Sequence, residues 1–123
     1  MNRVLKAAVL AGVMLLMHAS VQAQEMPVKK SDGMLVSFHG MSVYTFDKDT
    51  PGKSACSGQC AQLWPPVTVA QPPAAKGWTT VKRDDGSMQL AYDGKPLYLY
   101  SGDQKPGDRL GDNVKGVWHL ARD

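Results

Sequence analysis

Few of the residues that usually build an active site occur in this chain. Its single glutamate is Glu25, near the start, so any paired-carboxylate mechanism would fall to aspartates. It has no H-E-x-x-H run, no phosphate-cradling glycine loop and no serine in a nucleophile-elbow setting. Basic residues are scattered among aspartates, and only Lys29-Lys30 and Lys82-Arg83 adjoin. The basic stripe that would serve a nucleic acid is therefore missing. The longest apolar run, Ala7 to Met17, falls well short of the ~20 residues that cross a bilayer. There are only two cysteines, Cys56 and Cys60. Neither lies near the N-terminus, so a lipid anchor of the bacterial kind has no attachment point.

What is present begins with an export signal. Arg3 and Lys6 precede the apolar core AAVLAGVMLLM, and Val21-Gln22-Ala23 ends it as a small-residue cleavage site. We expect residues 1–23 to be removed near Ala23 and the remainder to act in the periplasm or outside the cell, with no membrane anchor. The formal charge of +3 includes Arg3 and Lys6, so the exported part is close to neutral. That part suits one small domain, which buries a modest share of its surface and gains from a covalent staple. Residues 24–33 read as a flexible lead-in, and 34–123 as the domain.

The domain repeats itself. Laid over the chain at one constant offset, Met34 falls on Met88, Phe38 on Tyr92, Gly40 on Gly94, Val43 on Leu97 and Tyr44 on Tyr98. Phe46 then falls on Tyr100, Asp49 on Asp103 and Trp64 on Trp118. Two units, about 34–64 and 88–118, are too few for a solenoid and imply one domain with a shared core. Each unit reads as a hairpin. MQLAY and PLYLY flank Asp93-Gly94-Lys95, and MLVSF and SVYTF flank His39-Gly40-Met41. Within VYTF and LYLY the two aromatics share one strand face, while Thr45 and Leu99 take the other. Polar Gly/Pro-rich loops follow at 47–54 and 101–113. VTVA (67–70), Trp78 to Arg83 and GVWHLA (116–121) read as further strands. Only Ala55 to Leu63 has helical potential, with Ser54 as its N-cap. The expected fold is mainly β, a small single domain of two pseudo-repeated antiparallel hairpin units with at most one short helix.

Tyr44-x-Phe46-x-x-Asp49 and Tyr98-x-Tyr100-x-x-Asp103 both fit Y-x-[FWY]-x-x-D. Together with SACSGQCAQLWPP (54–66), Gly94-Lys-Pro-Leu-Tyr98 and Gly116-Val-Trp-His119, this pattern resembles the secreted-repeat family of predicted bacterial lipoproteins. The resemblance covers nearly all of the exported chain. It implies an exported β-rich domain and no particular reaction.

Chemistry must come from few residues. Two thiols four positions apart outside the cytoplasm are expected to be oxidised, and the spacing brings their Cα atoms within disulfide range. A structural bridge is favoured over a working thiol–disulfide pair, because a thioredoxin-type motif has two intervening residues. A metal site is the sharper alternative. His39 and Met41 flank the turn glycine, Met34, Met88 and His119 would approach if the halves pack together, and these ligand types suit copper. Met34 and Met88 are also read as core fillers at equivalent positions. Asp47, Asp49, Asp103, Asp108 and Asp112 invite a calcium reading, but Gly58 stands where an EF-hand loop needs its bidentate glutamate. Loop capping accounts for them better. Tyr44, Phe46, Trp64, Trp78, Tyr98, Tyr100 and Trp118 supply either a core or the lining of a small apolar groove, with Trp64 and Trp118 anchoring the halves. The leading expectation is an exported, non-enzymatic binding or accessory module for a small molecule, a metal or a periplasmic protein, with no cofactor required. A copper or electron-transfer accessory protein is the alternative, and a thiol–disulfide oxidoreductase is the third.

Overall fold

The computed structural model describes residues 26–123, so the export signal and the Ala23 cleavage site lie outside the described residues. The described elements run β1 (Val28–Ser31), β2 (Met34–Ser37), β3 (Tyr44–Phe46), α1 (Gln59–Leu63), β4 (Trp78–Lys82), β5 (Met88–Tyr92), β6 (Lys95–Pro96), a 3-10 turn (Val114–Gly116) and β7 (Trp118–Leu120). The fold is mainly β, as expected, and α1 is the one short α-helix among the described residues. The strands form three small antiparallel sheets, β1-β2, β3-β7 and β4-β5-β6.

Two Asp-Gly turns drive the local pairing. Asp93 (φ 52°) and Gly94 (φ 81°) close the β5-β6 hairpin, with Tyr92 opposite Lys95. Asp32 (φ 52°) and Gly33 (φ 79°) close β1 onto β2 in the same way, with Ser31 opposite Met34. Both central residues of such a two-residue turn need positive φ, which Asp tolerates and Gly prefers. The stretch read as a flexible lead-in over 24–33 thus holds a strand from Val28 to Ser31, with Val28 buried in the core.

The hairpin of the first unit is shorter than expected. β2 takes β1 as its main ladder partner and pairs with the following segment through the Val36–Ser42 bridge and the bond from the Ser37 N–H to the Met41 carbonyl (2.8 Å). β3 instead pairs with β7 at the far end of the chain, placing Phe46 opposite Trp118. The helical segment is also shorter than Ala55 to Leu63. It starts after Gly58, whose φ of 60° is unsuited to a helix interior, and it has no side-chain cap. Ser54 lies too far upstream to cap it, and its Oγ instead accepts the Cys56 N–H (3.2 Å) and bonds Arg83 and Tyr98.

The two halves meet about a pseudo-two-fold at Tyr44 and Tyr98. Each donates its backbone N–H to the other's carbonyl, at 2.8 and 2.9 Å. Further bonds come in matched pairs. Val67 N–H reaches the Leu97 carbonyl (3.0 Å) just as Ala121 N–H reaches that of Val43 (2.8 Å). Leu90 N–H reaches the Val67 carbonyl (2.8 Å) as Leu35 N–H reaches that of Ala121 (3.0 Å).

The last match corrects the register of the repeat. The constant offset sets Val36 against Leu90, whereas the hydrogen bonds make Leu35 the counterpart of Leu90. Met34 accordingly corresponds to Gln89, and the pairing of Met34 with Met88 is one residue out. The extra residue lies in the first turn. Val36 bridges Ser42, six positions on, while Ala91 pairs with Pro96, five positions on. One residue of slip exchanges the two faces of a strand, so it decides which side chains are buried.

The core has two layers. One joins Val28, Leu35, Val43, Val67, Leu90, Leu97 and Ala121, with Leu99 packed against it. The other joins Met34, Tyr44, Cys56, Trp64, Tyr98, Trp118 and Leu120, with Phe46 and Tyr100 packed against it. Strand alternation sorts Tyr44, Phe46, Tyr98 and Tyr100 into the second layer.

Candidate functional site: an aromatic row and its groove

The motif residues of the two units interlock crosswise. The Tyr44 hydroxyl donates to Asp103 Oδ2 at 2.7 Å, and the Tyr98 hydroxyl donates to Asp49 Oδ2 at 2.6 Å. Each aspartate also ties its own loop, with Asp49 Oδ1 accepting the Ala55 N–H (2.6 Å) and Asp103 Oδ1 the Leu110 N–H (2.9 Å). The tyrosine of one unit thus holds the loop of the other. Burial, and then the hydrogen bond to the aspartate, pushes both phenols well above their ordinary range. Burial also raises the Asp49 carboxyl, against the lowering effects of the Tyr98 hydroxyl, the Ala55 N–H and Arg83.

The remaining motif aromatics and the two repeat-mate tryptophans form a continuous row, Phe46–Trp118–Trp64–Tyr100. The two indoles stack at 3.7 Å with planes 1° apart, and the outer contacts are 4.1 Å (Phe46–Trp118) and 4.3 Å (Trp64–Tyr100). Tyr44 meets Trp64 edge-on at 5.4 Å, and Tyr98 meets Trp118 edge-on at 5.1 Å. The tryptophans of the two halves therefore lie directly against each other. Trp78 takes no part, and packs on Tyr92 instead.

One side of the row rests on the core, and the other opens into a groove of about 470 Å³. Phe46 and Tyr100 line it half-buried, Trp64 and Trp118 (4% and 3% exposed) reach it only by their edges, and Leu63, Val114 and Val117 stand at its sides. Leu63 is 56% exposed, so its side chain can be changed with little effect on the core. Cys60 reaches the same groove, while Cys56 is fully buried. The two form a disulfide, with Cα atoms 5.2 Å apart.

The candidate metal ligands stand in separate surroundings. His39 lies on the exposed turn after β2, edge-on to Phe38. Met41 is half-buried at the end of that turn, its N–H bonded to the Ser37 hydroxyl. His119 lies in β7, where Nε2 is 2.8 Å from Asp47 Oδ2. Among the described residues, no group of three or more His, Cys, Asp or Glu side chains is placed to hold a metal ion. The loop aspartates tie backbone: Asp108 accepts the Gln104 and Lys105 N–H groups, and Asp112 that of Leu120.

Sequence reasoning missed Arg83. Its guanidinium donates to Gln89 Oε1 (2.8 Å), the Ser54 hydroxyl (3.0 Å) and the Cys56 carbonyl (2.7 Å). Gln89 is itself fully buried and donates to the Leu97 carbonyl. The signal was weak, a polar residue in an otherwise apolar strand.

These features define a small β domain of two interlocked units, built around the repeated motif. The chain belongs to the family described as a secreted repeat of unknown function, whose model matches residues 26–68 and 79–122. No curated protein and no solved structure matches it. No helix among the described residues is long and apolar enough to cross a membrane.

Proposed function

We propose that this is an exported, non-enzymatic binding module acting in the periplasm or outside the cell after cleavage near Ala23, and that it takes a small apolar molecule in the groove over the aromatic row. One observation carries this reading: half-buried Phe46 and Tyr100, with the edges of the buried Trp64 and Trp118 between them, border an open groove. Its volume falls within the range of small-molecule sites, about 300–1,000 Å³. The copper reading has less support, because His39 and His119 are engaged separately. Thiol exchange has less support because Cys56 is buried.

The test uses N-phenyl-1-naphthylamine, a neutral dye that brightens in apolar sites. The wild-type protein is expected to enhance its emission, and Leu63→Asp to weaken binding at least about fivefold, the effect of a charge set beside an apolar ligand. Leu63 is exposed, so the fold should survive, which circular dichroism checks. Equal enhancement by both proteins would end the groove reading.

A further inference from the structure

The groove is apolar along its length but charged at one end. Its only charged lining residues are Lys48 and Lys115. Both belong to the Phe46–Trp118 end: Lys48 follows Phe46 by two positions, Lys115 precedes Trp118 by three, and Phe46 lies opposite Trp118 in the β3-β7 ladder. The other end has no counterpart. At the repeat offset Lys48 falls on Gly102 and Lys115 on Ala61. A Cβ at Gly102 would stand 2.5 Å from the Tyr100 ring, so that position has no room for a side chain. The aromatic row is thus nearly symmetric, while the charge is not.

Neither lysine has an ionic partner among the described residues, where the ion pairs are Lys30–Asp123, Lys105–Asp108 and His119–Asp47. The two acids that flank Lys48 in sequence are engaged elsewhere, Asp47 with His119 Nε2 (2.8 Å) and Asp49 with the Tyr98 hydroxyl and the Ala55 N–H. Lys115 also sits at a φ of 53°, left-handed backbone that a residue with a Cβ seldom adopts.

We propose that the groove selects a flat aromatic carboxylate, with its ring system against Phe46, Tyr100 and the indole edges of Trp118 and Trp64 and its carboxylate between Lys48 and Lys115. This rests on the groove reading above and adds charge to it. Two exposed cations beside an anion and screened by solvent give a modest preference, about fivefold at low salt. The aromatic row supplies the remaining affinity and the cations the orientation.

The experiment compares 2-naphthoate with its neutral counterpart 2-naphthamide, by quenching of Trp64 and Trp118 fluorescence in a Trp78→Phe background. The expected result is about fivefold tighter binding of naphthoate at low ionic strength. The preference should vanish in Lys48→Ala/Lys115→Gly, shrink in high salt and persist in Lys76→Ala, a lysine outside the groove. Glycine at 115 suits the left-handed backbone, so loss of preference there is not loss of fold. Equal binding of both compounds by the Trp78→Phe protein would overturn the carboxylate inference and leave the groove standing. So would a preference that survives removal of both lysines. Binding of neither compound would overturn both readings.

Discussion

The two halves solve one packing problem in different ways. Each must hold a loop so that its tryptophan reaches the centre of the aromatic row. In the first half the loop leading to Trp64 carries the Cys56–Cys60 disulfide, and Cys56 is fully buried. In the second half the corresponding loop has no cysteine. There Gly111 is buried, and a Cβ on it would stand 2.8 Å from the Trp64 ring and 2.9 Å from that of Tyr44. Its N–H donates to the Tyr44 hydroxyl at 3.1 Å. One loop is clasped covalently, the other by close approach of backbone to ring. Equivalent geometry at the centre therefore does not require equivalent chemistry at the periphery.

The largest effect should come from the centre itself. Trp64→Ala and Trp118→Ala should each cost about 3–5 kcal/mol, the usual range for emptying a buried tryptophan site. Each indole stacks on the other, stacks on one outer ring and meets one tyrosine edge-on. Their urea-unfolding free energies should therefore agree within about 1 kcal/mol. A much larger difference would show that the halves are not energetically equivalent.

Next come the two clasps. Gly111→Ala should cost up to about 3 kcal/mol by overpacking against rings that have little room to move. Removing the bridge with Cys56→Ala/Cys60→Ala should cost about 2 kcal/mol, the chain-entropy value for so small a loop. Denaturant midpoints in oxidising and reducing buffer check both. Reductant should lower the midpoint of the wild type and of Gly111→Ala, and leave that of the double alanine variant unchanged.

The effect of pH separates the crossed tyrosines. Both phenols have folded pKa values raised above the unfolded value, chiefly by burial. Their linked contribution is fully present below about pH 10, the unfolded value, and is lost as pH rises toward the folded one. Stability should therefore fall in alkali. Tyr44→Phe/Tyr98→Phe should flatten that fall, even though it lowers stability at pH 7 through the lost hydrogen bonds. An unchanged alkaline slope would mean that other groups govern it.

Much of this was legible in one dimension. The repeat, the shared faces of Tyr44/Phe46 and Tyr98/Tyr100, the Asp93-Gly94 turn and the mainly β fold all follow from local patterns with short periods. The Asp32-Gly33 turn carries the same signal as Asp93-Gly94, and with it β1 was readable too. The one-residue difference in register was not readable, since a gapless offset matches methionine with methionine and conceals the longer turn. The same offset set Cys56 on Leu110, yet Leu110 is 62% exposed and Gly111 holds the buried position in its loop.

That the domain is built twice from one motif was written into the chain, because strand alternation and turn chemistry depend on near neighbours. That the motif works crosswise emerged only in three dimensions. Tyr44 and Asp103, like Tyr98 and Asp49, are far apart in the chain, and nothing in either unit states whether a tyrosine bonds its own aspartate or its twin's. That choice follows from the way the two apolar faces close on each other, with the indoles stacked between them.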